Sequence, residues 1–493
     1  QNQTGDRRAG CEFSGVERIR WEITEDMLIA RQAYQLQPGR DDKGVPGGTA
    51  NGTVVAAYKI LSHFDVRRAY NSGTGEDLNV VEENSSDRPW YDREYIRVDW
   101  STNQVADPMY LEMLIGKWFG EPKMSPLAYY VNDPTSEDAP HFEEDQGYFE
   151  VTNRYWVEPG SFSFSWGTVP ACLVWGYLTG GNDRDCNAQS VNIRLSFWKV
   201  NPEDHDFERL ELTRSPEDIV NNFGTMGESL YVQYGAALND YDPAYGYLDE
   251  GFHKFATQLN IWKRAHLDLE CWSNNDGDND GTADDCASYE GSKGSQCDLF
   301  ERKCTIPYRD REVRTRGWFL NKEMPLLYQD PLDEYGNRIT DDFGAEIRGA
   351  TEDVVHSWDQ MFRAAVASAR EVECRRTGDG NRDECHSWFF NPDKVMVSYG
   401  NWLIDDASDP TPVQIVCHNP VREYDNHEVC GATGYRARLG DLRKLFLIDW
   451  PTATNARFGG VTNLGTDPLT GEIIGNTSLT VHVDRRARYF VEP

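Results

Sequence analysis

The clearest chemical signal in the sequence is a row of alternating carboxylates between two cysteines, CWSNNDGDNDGTADDC at residues 271–286. Alternate carboxylates let a tight loop bring several oxygens around one hard cation, and Gly281 permits the sharp turn that this needs. We therefore predict a structural Ca²⁺ site, with an unoccupied polar loop as the alternative. The predicted ligands are Asp276, Asp278, Asp280, the carbonyl of Thr282, and Asp284.

This loop departs from the EF-hand pattern at its last position. Ala287 stands where an EF-hand has its bidentate glutamate, so a calcium sensor is not expected. The loop is similar to the calcium loops of thrombospondin type 3 repeats, which hold the ion structurally. Asp285 is either a spare ligand or solvated.

A second, weaker loop has related spacing. In TGDGNRDEC, residues 377–385, the candidate calcium ligands are Asp379, Asn381 and Asp383, but no glycine follows at the sixth place. A capped glycine-rich turn after a long helix is the alternative interpretation.

The eleven cysteines lie mostly in close pairs. We predict local disulfides and an oxidising location, meaning secretion, the outer-membrane surface or the periplasm. Cys11 is left without a partner. The predicted pairs are Cys172/Cys186, Cys271/Cys286, Cys297/Cys304, Cys374/Cys385 and Cys417/Cys430.

The sequence contains no recognisable catalytic motif. None of the ten histidines has a second histidine four residues away, and Gly431 stands where HEVCG, starting at His427, would need a ligand. Catalytic Zn²⁺ is therefore not supported by these residues. Whether the chain is an enzyme stays open, because the members of a serine–histidine–aspartate triad or a glycosidase carboxylate pair need not be close in sequence.

The formal charge of −33 argues against nucleic acid as a partner, since phosphates are bound by excess Lys and Arg. We find no apolar run near the ~20 residues that a membrane span needs. The chain starts at Gln1 without a signal-like apolar region, which predicts either a processed mature chain or a sequence that begins after such a region.

We predict an α+β fold in three sections: a β-rich N-terminal domain (1–165), a middle section with disulfide and calcium loops (166–345), and an α+β section (346–493). The clearest helix covers 351–373, with an apolar stripe at helical spacing and Thr351 as its N-cap. A second helix is predicted at 251–266. The predicted strands are 17–23, 53–63, 94–100, 191–197, 395–404, 413–418 and 478–483.

Several stretches, in this order, resemble the large exported zinc-metalloprotease-like proteins of myxobacteria and related bacteria. They are ERIRWEITEDMLIARQAY (17–34), SHFDVRRAYNSGTGEDLNVVEENSSDRPWYDREYIRVDWS (62–101), CTIPYRDREVR (304–314), HSWDQMFRAAVASARE (356–371) and RARLGDLRKLFLIDW with GTDPLTGEII (436–474). The resemblance implies a metzincin-like section in which 351–373 is the first helix and the later strands belong to a twisted sheet. The zinc helix of that family has no counterpart in these residues, so no zinc ligand or catalytic glutamate is carried over.

Three hypotheses follow. The first is a non-catalytic, calcium-stabilised, exported structural or binding protein on a metalloprotease-like scaffold. It would belong to a surface or extracellular assembly, with a partner or a second copy docking at 436–483. The second is the N-terminal part of an active secreted zinc metalloprotease. The third is an unrelated secreted hydrolase.

Overall fold

The structure is a computed structural model in which strands predominate, with 40% of residues in strands and 17% in helices, in agreement with the predicted β-rich character. It describes the following residues: 16, 18–32, 54–106, 123–165, 167–171, 173, 187–200, 206–210, 235–242, 246–256, 258–277, 281, 283, 285–289, 293–299, 301–322, 324–334, 337–342, 344, 347–398, 402–450, 460–467 and 470–481.

The strands among these residues are β1 (Ile19–Ile23), β2 (Met27–Gln32), β3 (Val54–Tyr70), β4 (Asp77–Asn84), β5 (Tyr95–Asp99), β6 (Lys123–Leu127), β7 (His141–Glu143), β8 (Tyr148–Glu158), β9 (Ser161–Phe164), β10 (Gly167–Pro170), β11 (Gln189–Trp198), β12 (Gly235–Asp242), β13 (Gly246–Ala256), β14 (Gln258–Leu259), β15 (His266–Glu270), β16 (Asn274–Asn275), β17 (Asp285–Cys286), β18 (Cys297–Asp298), β19 (Lys303–Thr305), β20 (Arg316–Leu320), β21 (Phe390–Ser398), β22 (Trp402–Ala407), β23 (Gln414–Cys417), β24 (Leu445–Trp450), β25 (Gly460–Thr466) and β26 (Glu472–Val481). The helices given for the described residues are α1 (Ala350–Arg376), α2 (Arg382–Phe389) and α3 (His427–Cys430), with short 3-10 turns at Trp90–Asp92, Glu144–Gln146, Tyr308–Asp310 and Leu326–Tyr328.

The chain divides into two compact units. Of the described residues, the first unit contains 16–199 and 238–252, and the second contains 200, 206–210, 235–237 and 253–481. The middle and last predicted sections therefore fall largely within one unit. The division into three separate domains remains a prediction.

The two larger sheets of the first unit are antiparallel. One has the order β1-β2-β3-β4, with β5 also paired to β3, and the other has the order β11-β8-β6, with β7 paired to β8. Their inner faces meet around Tyr58 and Val151, which are almost completely buried. The Tyr58 hydroxyl donates a 2.9 Å hydrogen bond to Oδ1 of Asn153, so the one polar atom of that ring is satisfied inside the core.

The second unit is built on a mixed sheet of order β14-β26-β24-β20-β23, with every pair on this path parallel. β25 pairs with β26 in the antiparallel direction. The central strands read as nearly continuous apolar runs, as expected for parallel strands covered on both faces. Phe446 and Ile448 of β24 face one core cluster, and Leu445 and Leu447 face another.

The long helix α1 follows β20 and precedes β23 in the chain, and it packs on this sheet. Val355 lies in the cluster of Trp318, and Val366 packs with Val413. The predicted apolar stripe is thus buried in part, but Met361 and Val372 of the same stripe are exposed. The helix therefore covers the sheet with a narrower face than the sequence pattern indicates.

Three local predictions were wrong. The helix expected at 251–266 is replaced by strand in β13, which pairs with β12, and in β14, which pairs with β26, so strand pairing overrides the local pattern. The run 395–404 contains parts of two strands, β21 and β22, which pair with each other in a two-stranded sheet. The N-cap of α1 is Gly349, while the Thr351 hydroxyl donates to the carbonyl of Tyr328.

Candidate functional site

One histidine of the second unit lies between two carboxylates. His418 is almost completely buried, with Nδ1 2.8 Å from Oδ1 of Asp425 and Nε2 3.0 Å from Oε1 of Glu352. Both ring nitrogens face acceptors, which suits a protonated imidazole. Burial alone would lower the pKa of His418, but the two carboxylates outweigh it and raise this pKa. Burial would raise the pKa of Glu352 and Asp425, yet the histidine contact lowers both.

Three different elements supply this acid–histidine cluster of Glu352, His418 and Asp425. Glu352 lies in the first turn of α1, where a negative charge is favoured by the helix dipole. His418 directly follows β23. Oδ2 of Asp425 accepts hydrogen bonds from the backbone N–H groups of His418 (3.1 Å) and Arg422 (2.8 Å), which closes the loop between them. The cluster therefore ties the start of the helix to the carboxyl end of an edge strand.

Further charged groups surround the cluster. The backbone N–H of Asp330 donates to Oε1 of Glu352 (3.0 Å), and Oδ2 of Asp330 lies 3.2 Å from Nε of Arg338. The guanidinium of Arg338 lies 4.4 Å above the centre of the Tyr424 ring. Burial raises the pKa of Asp330, and the neighbouring Glu352 adds to this shift.

A cavity of about 290 Å³ lies beside these residues. One face of α1, the strand β23 and the segment before α1 form its walls. The lining residues are Asp330, Arg338, Arg348, Glu352, Val355, His356, Asp359, Pro412, Gln414, Ile415, Val416, His418, Tyr424, Asp425 and Asn426. The carboxyl ends of strands in such sheets are common ligand sites, so this position is a candidate on geometric grounds.

An incompletely paired group lies in the cavity wall. Oδ1 of Asp359 accepts hydrogen bonds from the backbone N–H groups of Val413 (2.6 Å) and Gln414 (3.0 Å). Oε1 of Gln414 accepts from Nε1 of Trp318 at 2.7 Å, and Nε2 of this buried amide has no hydrogen-bond partner. Because an indole N–H only donates, the amide orientation is fixed and Nε2 stays an unused donor.

His356 lines the same cavity, but its pKa is shifted in the opposite direction, downward. Burial lowers its pKa, and the positive charges of Arg348 and Arg363 lower it further. The cavity thus combines one imidazole that favours the charged form with one that favours the neutral form.

A second bridged histidine lies in the disulfide-rich part of this unit. Nδ1 of buried His266 lies 2.5 Å from Oδ1 of Asp206, and Nε2 lies 3.2 Å from Oδ2 of Asp298. Burial opposes protonation, yet the two carboxylates raise the pKa of His266 to about 9. Although burial opposes ionisation of Asp206, hydrogen bonds from His266 and Ala265 lower the pKa of Asp206 to about 2.

The cysteines next to His266 are paired differently from the prediction. The disulfides are Cys271–Cys297 and Cys286–Cys304, so the predicted pairs Cys271/Cys286 and Cys297/Cys304 are wrong. Cys297 and Cys304 lie opposite each other in the β18–β19 ladder, and each bonds to a cysteine outside that ladder. All four are buried in one cluster, so spacing alone does not distinguish the three possible pairings.

The other predicted disulfide residues have two outcomes. Cys374–Cys385 and Cys417–Cys430 form the pairs that the spacing predicts. Cys172, Cys186 and Cys11 lie outside the described residues.

The predicted calcium loop is described only at its ends. Oδ2 of Asp276 accepts a 3.1 Å hydrogen bond from the backbone N–H of Gly281, whose φ of +93° suits glycine. The short pair of β16 and β17 closes the base of the loop. Asp278, Asp280, Thr282 and Asp284 lie outside the described residues, so calcium binding here stays a prediction.

The second predicted calcium loop is a capped turn. Oδ2 of Asp379 accepts from the Thr377 hydroxyl at 2.7 Å and from the guanidinium of Arg309. Asn381 is the N-cap of α2 and forms a capping box with Glu384, and Asp383 is exposed in the first turn of that helix. These side chains have other partners or point to solvent, and this geometry favours the alternative interpretation over calcium.

Among the described residues, one group of three side chains of metal-binding types (His, Cys, Asp or Glu) has its ligand atoms close enough together for a metal. It consists of Cys271, Cys286 and Cys304, and all three are engaged in disulfides. The helices of the described part of the chain also include none with the length and apolar character of a membrane span.

Sequence reasoning did not find His418 or His266, because each was one of several isolated histidines. The available signal for His418 was its place just after an apolar strand, with Asp425 seven residues later and Glu352 at the start of the clearest helix. Only the packing of α1 on β23 brings the three together.

Comparisons of this chain with protein-family models, with curated proteins and with solved structures found no match. The resemblance to metalloprotease-like proteins therefore stays a prediction.

Proposed function

We propose that the chain is an exported, calcium-stabilised, non-catalytic binding protein on a metalloprotease-like scaffold, and that its partner docks along β25. The observation that carries this proposal is the mixed sheet of the second unit, in which parallel strands end in an antiparallel strand. The long helix between β20 and β23 supports the same scaffold, because the resemblance implies a first helix there and a twisted sheet beside it.

The antiparallel strand suits a protein partner for a backbone reason. β25 pairs with β26 over its whole length, and no other described strand pairs with it. An edge strand leaves a row of backbone N–H and C=O groups available for an added strand. β25 also lies in the 436–483 region where we expect docking.

Hydrogen exchange tests this docking site. The full chain is compared with and without β-casein, an extended polypeptide, and we expect slower exchange of the amides of 460–466. The antiparallel pair β21–β22 is the internal control: among the described strands its members also have free edges, so a partner selective for β25 should leave it unchanged. Protection of both pairs, or of neither, would contradict docking on β25.

The calcium part of the proposal is tested separately. Asp278→Ala is compared with Asp379→Ala, whose carboxylate pairs with Arg309. A bound ligand at 100 times its Kd stabilises by about 2.7 kcal/mol. We expect Asp278→Ala to remove a stabilisation of this size in calcium and to change little in chelator, while Asp379→Ala behaves alike in both. Equal losses for Asp278→Ala in both media would exclude calcium at this loop.

A zinc protease containing these residues is the second candidate, favoured by the same sheet and helix. It predicts that the purified native protein contains zinc and cleaves β-casein, and that o-phenanthroline stops the cleavage. Binding of intact casein by a protein that contains calcium but no zinc supports the non-catalytic proposal.

A further inference from the structure

A second candidate site is the cavity beside the acid–histidine cluster. We propose that it binds a small zwitterion of the size of an amino acid or dipeptide, with the ligand's carboxylate near Gln414 and Arg348 and its ammonium near Asp359. This site is separate from β25, and the proposal does not depend on peptide docking there.

The buried amide of Gln414 is the first argument. Its Nε2 has no hydrogen-bond partner, its Oε1 is held by Trp318, and the residue is only 2% exposed. A buried donor without an acceptor is unfavourable, so a ligand oxygen at this point would be bound selectively. Carboxylate and carbonyl oxygens are the ligand atoms that satisfy it.

Asp359 is the second argument, and it calls for a ligand group of the opposite kind, a cation. Both of its described hydrogen bonds go to Oδ1, from backbone N–H groups. Burial raises the pKa of this carboxyl group, so a nearby cation would stabilise its charged form. The cavity wall therefore has an acceptor, the carboxylate of Asp359, next to a donor, the side-chain amide of Gln414.

The distribution of charge favours a ligand with both signs. Asp330, Glu352, Asp359 and Asp425 would repel a simple anion, while Arg338 and Arg348 would repel a simple cation. Arg348 is exposed, and no ion pair holds it among the described residues, which leaves its guanidinium available. No metal is implied, since the described His and carboxylate atoms of this cavity form no convergent group of three.

The volume of the cavity limits the size of the ligand. Ligand pockets commonly have volumes of ~300–1,000 Å³. At about 290 Å³, this cavity is at the small end of that range, which suits a single amino acid or a dipeptide.

Calorimetric titration of the full chain tests the proposal. The probes are glycine and glycylglycine as zwitterions, with acetate and ethylammonium as the two isolated halves. We expect at least one zwitterion to bind about tenfold more tightly than either half, because each half leaves one wall group unpaired. Failure of both zwitterions to bind at millimolar concentration, or equal binding of acetate alone, would overturn the proposal.

Two variants connect binding to the named residues. Gln414→Glu keeps an acceptor for Trp318 but removes the amide donor, and Arg348→Gln removes an exposed charge without touching the core. Each should weaken zwitterion binding about tenfold. Arg375→Gln is the matched control, because Arg375 is also exposed and its one ion pair among the described residues is with Glu371 on α1. If the control weakens binding as much as Arg348→Gln, or if neither cavity variant weakens it, the assignment is wrong.

Discussion

His266 and His418 are both buried and both lie between two carboxylates, yet their surroundings differ. Asp298 follows a disulfide cysteine directly, and both backbone N–H groups at positions 265 and 266 donate to Asp206. His418 instead borders a cavity of about 290 Å³. The first cluster lies next to a disulfide, whereas the second has open space at its side.

This difference shows how one charge arrangement can serve two purposes. A buried imidazolium between two carboxylates is costly to desolvate, and it is retained where its removal would leave charges unpaired. Around His266 the arrangement joins segments of low regular structure. Around His418 it fixes a helix and a strand in the positions that define a cavity.

Removing His418 should have the largest effect. His418→Leu leaves Glu352 and Asp425 buried without their cation, which should cost about 3–5 kcal/mol in the free energy of unfolding. His386→Leu is the control, because His386 is partly exposed and its pairing with Glu371 at 2.9 Å is near solvent. Chemical denaturation measures both, and equal losses would mean that the cluster at His418 contributes no more than a surface pair.

The disulfide beside His266 comes next. Replacing Cys271 and Cys297 together by serine removes a crosslink between two cysteines 26 residues apart. This should lower the free energy of unfolding by about 3–4 kcal/mol. Because Asp298 adjoins Cys297, the pKa of His266 should fall toward its ordinary value, while the titration of His418 stays unchanged. A shift at His418 of the same size would show that the two clusters are not independent.

The pH dependence of stability is the third and smallest effect. The pKa of His266 is raised to about 9 from an ordinary value of 6.5, so its stabilisation is complete below pH 6.5 and is lost as the pH rises through 9. At 1.36 kcal/mol per pKa unit, this loss is about 3 kcal/mol.

The acid side has the opposite sign. The pKa of Asp206 is lowered from 3.8 to about 2, so its stabilisation is present above pH 3.8 and is lost as the pH falls through 2. Denaturation curves from pH 2 to 10 measure both limbs. His266→Gln should flatten the alkaline limb, and His386→Gln should keep it. An unchanged alkaline limb in His266→Gln would assign that loss to another group.

Regular elements were predictable where local pattern and packing agree. Alternation predicted β1, β5 and β11, and the helical stripe predicted α1 within a few residues at each end. The same kind of pattern failed at 251–266, where pairing of β13 with β12 and of β14 with the distant β26 decides the structure. Cysteine spacing identified two pairs but misassigned the four cysteines that cluster around one point.

The candidate site was less predictable than the fold. Glu352 and His418 are 66 residues apart, and their contact depends on how α1 lies across the sheet. Gln414 has no sequence feature that marks its amide as unpaired. The loop at 379–383 shows the reverse case, where a ligand-like spacing is used for helix capping and an ion pair.

The most direct test of the difference between the two clusters is a titration of the histidine-labelled full chain with glycylglycine, followed by NMR of the ring nitrogens. Assignment uses His266→Gln, His356→Gln and His418→Gln. We predict saturable shifts of His356 and His418, which line the cavity, and no shift of His266. Absence of any shift at His356 and His418, or an equal shift at His266, would contradict the account.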